Sequence, residues 1–272
     1  MKNKRRNKFI IEIAGILLAL LWLSPFYLMI VNAFKTKREI FSDVLGAPGE
    51  WTFENFKQAF IDLDFVSSFS YSVFISVASV ILIILFSSMA GYALARNKSK
   101  LSGVIFLVFV AAMLIPFQSV MIPLISLFGQ VDMLNPGGLI FMYIGFGASL
   151  SIFLYHGAMS GIPVSLDEAA TIDGANRWQI FLKIIFPMLK PISVTVMILN
   201  LIWIWNDYLL PSLVLSQSTA TIPLKMFFFF GQYTKQWHLA LAGLTIAIIP
   251  IIIVYFFAQK QIIKGVTDGA VK

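Results

Sequence analysis

One cluster of aromatic, amide and carboxylate side chains lies near the end of a hydrophobic segment, in the hexapeptide Trp203-Ile204-Trp205-Asn206-Asp207-Tyr208. Aromatic rings stack on the apolar faces of sugars, and amides and carboxylates bind hydroxyl groups. Such side chains suit a passage for a sugar. The alternative is an aromatic belt at a membrane–water interface, with a polar end to the hydrophobic segment.

Side chains that could perform catalysis do not assemble into a recognisable site in the sequence. The chain has two His and no Cys, which excludes thiol chemistry, disulfides and Cys-based metal sites. It also lacks a carboxylate pair, a nucleophile with its base, and a Gly-rich phosphate loop ending in Lys-Ser or Lys-Thr. We therefore expect a protein that is not an enzyme and has no catalytic residue, metal site or cofactor of its own.

A second polar stretch, Ser165–Pro191, separates two hydrophobic segments. Ser165 and Glu168 have the spacing of a capping box at the start of a short helix, and Gly174 is suited to end that helix. Asn176, with glutamine three residues later, repeats the cap and predicts a second, amphipathic helix. Its apolar residues are Trp178, Phe181, Leu182 and Ile185, and Pro187 and Pro191 close the stretch. The pattern indicates a rigid docking element, although an ordinary capped loop has the same local signals.

The composition places these residues in a lipid bilayer. Of 272 residues, 59% are hydrophobic and 12% charged, with a mean hydropathy of +0.87, whereas soluble domains are about 25% charged. Hydrophobic segments of the roughly 20 residues that cross a bilayer recur along the chain. The predicted spans are Phe9–Phe34, Val66–Ala95, Val104–Leu127, Leu139–Met159, Ile192–Pro211 and Leu239–Phe257. We predict an all-α polytopic membrane protein with six transmembrane helices.

The distribution of Lys and Arg predicts the orientation of the spans. With the N-terminus inside, the cytosolic side holds five at the start, three in 96–100, three in 165–191 and three in the tail. The external loops 35–65 and 212–238 hold four and two. This bias agrees with the positive-inside rule, so both termini and Ser165–Pro191 are predicted to be cytosolic. The net charge of +7 is then a matter of topology, and no nucleic-acid partner is expected.

Ionisable side chains are nearly absent from the middle of the predicted spans. Among Asp, Glu, Lys and Arg, only Glu12 and Asp207 lie inside them, and Asp207 lies beyond the midplane towards the outer face. Ion-coupled carriers keep charged groups near the midplane, so energy for uphill transport is expected to come from elsewhere. The residues predicted to line a translocation path are Gln118, Asn200, Trp205, Asn206 and Asp207.

The spacing of residues in the Ser165–Pro191 stretch resembles the EAA signature of ABC-importer permeases. The matching residues are Glu168-Ala169-Ala170, Gly174, Ile184, Phe186 and Pro187, with Phe186 in the place of the usual Leu. The wider pattern EAA-x-IDGA-x-x-W-x-x-F is similar to the carbohydrate branch. Further segments resemble the smaller permease subunit of maltose-type sugar importers over essentially the whole length. These are Phe34-Lys35-Thr36, AGYALAR (90–96), WNDYLLP (205–211), GQYTKQW (231–237) and GAVK (269–272).

The resemblance implies a type I ABC-importer permease fold and a set of partners. In that family, two related permeases form a heterodimeric pore, two cytosolic ATPases power it with ATP and Mg²⁺, and an extracytoplasmic binding protein delivers the sugar. This chain would then be half of a sugar pathway in the cell membrane of a prokaryote. An oligosaccharide is the expected substrate, and the chain is expected to be embedded in the lipid bilayer.

The resemblance also implies roles for named residues. The EAA element would be the coupling helix that seats in a groove of one ATPase, with Gly174 setting the angle between its two halves. The predicted coupling residues are Glu168, Ala169, Ala170, Asp173, Gly174 and Arg177, and the tail residues expected to contact the ATPases are Gly269, Ala270, Val271 and Lys272. Three regions follow: 1–65 with the first span and external loop, 66–259 as the core permease domain, and 260–272 as the cytosolic tail.

Three alternatives to an importer permease remain at this point. A stand-alone secondary carrier requires ion-binding groups near the midplane, which the spans lack. A membrane enzyme acting on lipid or glycan requires a catalytic constellation at the end of a span. A regulatory scaffold would dock a partner through Ser165–Pro191 without transporting anything, and it leaves the polar residues of the spans without a role.

Overall fold

The structure is a computed structural model that describes residues 2–228 and 236–270, and every regular element within those ranges is a helix. Three helices are long and apolar enough to cross a membrane, and two further candidate spans are bent pairs of shorter helices. The long helices are α1 (Lys2–Ala33), α4 (Phe65–Arg96) and α7 (Pro136–Met159). Their bounds confirm the first, second and fourth predicted spans to within a few residues.

Shorter helices make up the rest of the described chain. They are α2 (Lys37–Ser42), α3 (Glu54–Asp62), α5 (Lys100–Ala112), α6 (Phe117–Gln130), α8 (Ser165–Ile172), α9 (Arg177–Ile180), a π-helical turn (Phe181–Ile185), α10 (Phe186–Met188), α11 (Lys190–Asn206), α12 (Leu209–Val214), a 3₁₀ turn (Gln217–Thr219), α13 (Ile222–Phe228) and α14 (Trp237–Ala270). α14 covers the sixth predicted span, Leu239–Phe257, and its segment Trp237–Pro250 is apolar. The described residues therefore support three to five spans.

The third predicted span, Val104–Leu127, is not one helix. α5 ends at Ala112 and α6 begins at Phe117, and the two are bent by 103°. Pro116 is the N-cap of α6 and has extended backbone. A proline cannot donate a backbone hydrogen bond to the preceding helix, and it disfavours helical backbone at the residue before it. The helix therefore breaks before Pro116. Pro123 is accommodated inside α6.

The fifth predicted span, Ile192–Pro211, ends earlier than expected. α11 stops at Asn206, and Asp207 is its C-cap with extended backbone. Asp207 is thus at the break between α11 and α12 rather than inside a spanning helix, which corrects the sequence prediction. A carboxylate in the middle of a helix has no free amide to bind, whereas at a helix break it can accept from the next turn.

The chain forms two compact units, the first comprising Met1–Phe65 and Lys225–Ile252. In this unit the ring of Phe34, directly after α1, packs against the rings of Trp51 and Phe56 at centroid distances of 5.1 and 4.8 Å. The amide of Asn55 in α3 donates to the carbonyl groups of Ala33 and Lys35, each at 2.8 Å. These contacts hold the loop after α1 against α3.

A capping box begins α2 in the same loop. Thr36 caps the helix, and the Glu39 carboxylate accepts from the backbone N–H of Thr36 at 3.1 Å. The other carboxylate oxygen of Glu39 accepts from the N–H of Gly49 at 3.0 Å. These backbone hydrogen bonds, that from Thr36 foremost, lower the pKa of Glu39.

The second unit comprises Val66–Leu224 and Ile253–Lys272, and its core lies between α4, α7 and α11. A Cβ atom added to Gly91 of α4 would lie 2.6 Å from Cβ of Tyr155 in α7. One added to Gly147 of α7 would lie 2.6 Å from both Ile83 of α4 and Asn200 of α11. Glycine thus allows the three helices to approach closely, as small residues do in membrane proteins.

Candidate functional site

The Ser165–Pro191 stretch folds as two short helical halves joined at Gly174. Gly174 has φ +85°, in the left-handed region that residues with a Cβ rarely adopt, and it ends the turn after α8. Asn176 caps the second half: its side chain accepts from the N–H of Gln179 at 2.9 Å, and Gln179 accepts from the N–H of Asn176 at 2.8 Å. The predicted break and the second capping box are confirmed.

The first predicted capping box, at Ser165, is wrong. Ser165 is the first residue inside α8, and the N-cap is Val164, which already has helical backbone. The N–H groups of Asp167 and Glu168 donate to the carbonyl of Val164 at 2.9 and 3.2 Å. The helix starts one residue earlier than predicted, and backbone carbonyl groups already accept from the N–H groups of its first turn. The hydroxyl of Ser165 therefore has no free N–H from which to accept.

The second half buries a different face from the one predicted. Ile180, Phe181 and Ile185 are buried, whereas Trp178 is 61% exposed and Leu182 is 54% exposed. The chain runs from α9 through the π-helical turn into α10, and a π turn shifts the register of the residues around it. The apolar pattern correctly predicted an amphipathic helix, but its buried face is rotated.

A partly buried ion pair ties the element to the end of α4. Nη2 of Arg96 donates to Oδ2 of Asp167 at 2.8 Å, and the hydroxyl of Tyr92 donates to Oδ1 of Asp167 at 2.7 Å. The Arg96 and Asp167 side chains are 16% and 15% exposed. Nη1 of Arg96 also donates to the carbonyl of Ile162, in the turn before α8, at 3.1 Å. The sequence prediction missed this group, although Tyr92 and Arg96 stand one helical turn apart in the AGYALAR segment.

The predicted coupling residues divide between surface and interior. Glu168 and Ala169 are exposed on α8, Asp173 and Gly174 on the turn that follows, and Arg177 at the start of α9. In contrast, Ala170 is buried within the chain's own core. Only the first of the two alanines is therefore available to a partner.

Large apolar side chains lie on the same exposed surface. Ile172, at the end of α8, is 87% exposed, and Trp178 and Leu182 are exposed on the second half. Apolar groups in contact with water favour burial against another surface. The element thus presents acidic, basic and apolar groups together, while Asp167 and Phe181 hold it to the chain's own helices.

Two of the four predicted tail residues can be placed. Gly269 and Ala270 are the last residues of α14. Val271 and Lys272 lie outside the described residues. Whether the tail contacts an ATPase stays a prediction.

The predicted path residues differ in their exposure and in their contacts. Asn200 is 4% exposed, and its Nδ2 donates to Ser151 Oγ of α7 at 3.1 Å and to the carbonyl of Val196 at 2.8 Å, so it joins α11 to α7. Gln118 is exposed at the start of α6, and Asn206 is exposed with its amide bonded to the carbonyl of Ile202. Their role in a path stays a prediction, and the structure gives Asn200 a helix-packing role in this chain.

The aromatic and carboxylate groups at the end of α11 make contacts within the chain. Trp205 is half-buried, with its ring 6.0 Å from that of Phe69 in an edge-to-face arrangement. Asp207 accepts from the hydroxyl of Tyr143 at 3.0 Å and from the N–H of Leu209 at 3.0 Å. Both carboxylate oxygens of Asp207 are therefore engaged by the chain's own groups.

Comparison with known proteins places the chain in a family. Residues 83–268 match the family model described as binding-protein-dependent transport system inner membrane component. The chain is 51% identical, over the full length of both proteins, to the "Probable starch degradation products transport system permease protein AmyC" of Thermoanaerobacterium thermosulfurigenes. It is 36% identical to the "Multiple sugar-binding transport system permease protein MsmG" of Streptococcus mutans, over 100% of this chain and 99% of that protein.

Solved structures share the fold. A chain of a bacterial ABC transporter involved in the import of the acidic polysaccharide alginate aligns with a TM-score of 0.79 at 24% identity, covering 96% of this chain and 98% of that one. This structure confirms the type I importer permease fold, and the identities to AmyC and MsmG confirm the resemblance to carbohydrate permeases. The chain belongs to the family of binding-protein-dependent transport system inner membrane components, as a multi-pass protein of a prokaryotic membrane.

Proposed function

We propose that this chain is the permease subunit of an ATP-driven sugar importer and forms half of a heterodimeric translocation path. The observation that carries the proposal is the Ser165–Pro191 element. Its exposed surface carries Glu168, Ala169 and Arg177, while Asp167 holds the element to α4 through a partly buried ion pair. A partner that binds the exposed surface can therefore transmit its own movement through the fixed contacts to the membrane-spanning helices.

The partners follow from the same element. Two cytosolic ATPases would supply the energy from ATP and Mg²⁺, one of them seating α8 in a groove, and this chain would bind neither nucleotide nor metal. A second, related permease would complete the pore. An extracytoplasmic binding protein would deliver the substrate, in keeping with the family to which the chain belongs. The excess of Lys and Arg in 1–8, 96–100 and 165–191 supports a cytosolic position for the element.

The proposed substrate is an oligosaccharide. The 51% identical relative is named for starch degradation products, and a 35% identical relative from Bacillus subtilis is named for melibiose, raffinose and stachyose. Maltotriose and raffinose are therefore the first two sugars to test. Because Asn200 and Asp207 are engaged within the chain, the partner permease is the better candidate for most sugar contacts.

The proposal is tested by isolating the chain from its native membrane in mild detergent. We expect a second permease, two ATPase copies and a sugar-binding protein to accompany it, and the reconstituted complex to take up maltotriose only when ATP is supplied inside the vesicle. Uptake by this polypeptide alone, driven by a proton or sodium gradient, would instead show a secondary carrier. Hydrolysis of a lipid or glycan by the isolated chain would show an enzyme.

A single substitution tests the coupling role in the same complex. Glu168→Arg reverses a charge on the exposed surface of α8 and should abolish sugar-stimulated ATP hydrolysis while leaving membrane insertion intact. The matched control is Glu50→Arg, at an exposed glutamate in the loop before α3. Full stimulation in the Glu168→Arg complex would refute the coupling assignment.

A further inference from the structure

The end of α4 makes a direct connection to the coupling element, although the two are far apart in the chain. We propose that Tyr92 and Arg96 are positioning residues that pass the movement of α8 to α4 through Asp167. This inference rests on the proposed coupling function. The element is joined covalently to two spans, α7 before it and α11 after it. The proposed connection adds a third span, α4, through side-chain contacts.

The geometry of the carboxylate supports this connection. Both oxygens of Asp167 are used, Oδ1 by the Tyr92 hydroxyl at 2.7 Å and Oδ2 by Arg96 at 2.8 Å. Tyr92 and Arg96 stand four residues apart, on one face of α4. Two donors on adjacent turns fix the carboxylate against both rotation and sliding along α4, which a single hydrogen bond does not.

Arg96 extends the connection to the entry of α8. Its second terminal nitrogen donates to the carbonyl of Ile162 at 3.1 Å, so one guanidinium holds the backbone before α8 and the side chain within it. The rigid, planar guanidinium presents its donors in fixed directions. Because the pair is about 15% exposed on each side, it is screened by salt much less than a surface pair.

Tyr92 also contacts the second half of the element. Its ring lies 5.5 Å from the ring of buried Phe181. At the joint itself, a Cβ added to Gly174 would meet nothing within 4 Å, so tertiary packing at the glycine does not set the angle between the halves. Tyr92 touches one half through its hydroxyl and the other through its ring. We infer that this side chain holds the two halves at their angle.

The test measures sugar molecules transported per ATP hydrolysed by the whole reconstituted complex, with maltotriose as the probe. Asp167→Asn removes the charge and should lower this ratio about fivefold or more, in the range of ordinary coupling energies, while the ATPases still co-purify. Tyr92→Phe removes one hydrogen bond and keeps the ring against Phe181, and a loss of about threefold is expected. Arg96→Lys keeps the charge and should retain more of the ratio than Arg96→Gln.

The control is Asp132→Asn, the same substitution at an exposed aspartate in the turn before α7. It should leave the ratio unchanged, and asparagine tolerates the positive φ of 54° found there. If Asp167 and Tyr92 served folding alone, their variants would yield less complex with an unchanged ratio. That result in Tyr92→Phe, the mildest variant, would overturn the inference.

Failure of the inference and failure of the proposed function are distinguishable. A wild-type complex without maltotriose-dependent ATP hydrolysis and without ATP-driven uptake contradicts the proposed function. A wild-type complex that couples the two, with variants of Tyr92, Arg96 and Asp167 that couple equally well, contradicts only the role of α4.

Discussion

The hydroxyl group of Tyr143 in α7 donates a hydrogen bond of 3.0 Å to Asp207, the residue that ends α11. The other oxygen of the same carboxylate accepts from the N–H of Leu209 at the start of α12. The ring of Tyr143 also packs edge-to-face with Trp203 at 5.4 Å. Asp207 therefore organises the break between α11 and α12, whatever part the neighbouring residues play in a sugar path.

Removing the Tyr143 hydroxyl should destabilise the protein. Tyr143→Phe leaves one oxygen of Asp207 without its donor, and a loss of about 1–3 kcal/mol in the free energy of unfolding is expected. Thermal unfolding of the detergent-purified protein measures it. Tyr27→Phe is the matched control, because its hydroxyl bonds the carbonyl of Leu45 at an exposed site, where a change within about 0.5 kcal/mol is expected. Equal losses in the two variants would argue against a structural role for Asp207.

Gly147 of α7 is predicted to tolerate substitution far less than Gly145 of the same helix. A Cβ there meets Asn200 and Ile83, each at 2.6 Å, so Gly147→Ala should destabilise the protein by about 1–3 kcal/mol through overpacking. Gly145→Ala, two residues earlier in the same helix, meets nothing within 4 Å and should be neutral or slightly stabilising, since alanine favours helix. The pair is compared by thermal unfolding; similar behaviour would mean that α7 does not pack on α4 and α11 as described.

Gly174 is sensitive to substitution for a different reason. Space is open around it, but its φ of +85° is costly for any residue with a Cβ, by about 1–2 kcal/mol. Gly174→Val should abolish sugar-stimulated ATP hydrolysis in the assembled complex with little change in its amount. Gly157→Val is the control, at a glycine of α7 that also has open space but no positive φ. Retained stimulation in Gly174→Val would show that the angle at this turn is unimportant for coupling.

The loop after α1 should loosen in acid through Glu39. Backbone hydrogen bonds lower the pKa of Glu39 in the folded protein, so the stabilising contribution of its ionised form is present at neutral pH and is lost as the pH falls through that lowered value. Hydrogen exchange at the N–H of Gly49, which bonds Glu39, should lose protection there. Glu39→Gln should remove this pH dependence, and Glu50→Gln should keep it. Unchanged protection of Gly49 in acid would contradict the assignment.

Some parts of the coupling element could be predicted from local sequence, and others could not. The break at Gly174 and the capping box at Asn176 depend on residues within four positions of each other, so their chemistry is visible in the sequence. The cap at Ser165 and the buried face of the second half were mispredicted. Both depend on tertiary structure, namely on the path of the backbone from α7 into α8 and on which face of the element packs against α4.

The amino-acid sequence by itself determined the membrane class, most of the span positions and the EAA resemblance, because hydrophobic length and short-range spacing are properties of consecutive residues. Only the tertiary structure decided the 103° bend between α5 and α6, the burial of Ala170, and the structural engagement of Asn200 and Asp207. The ion pair between Arg96 and Asp167 joins residues 71 positions apart. Such a contact forms only when helices pack, since local spacing carries no information about which distant charges meet.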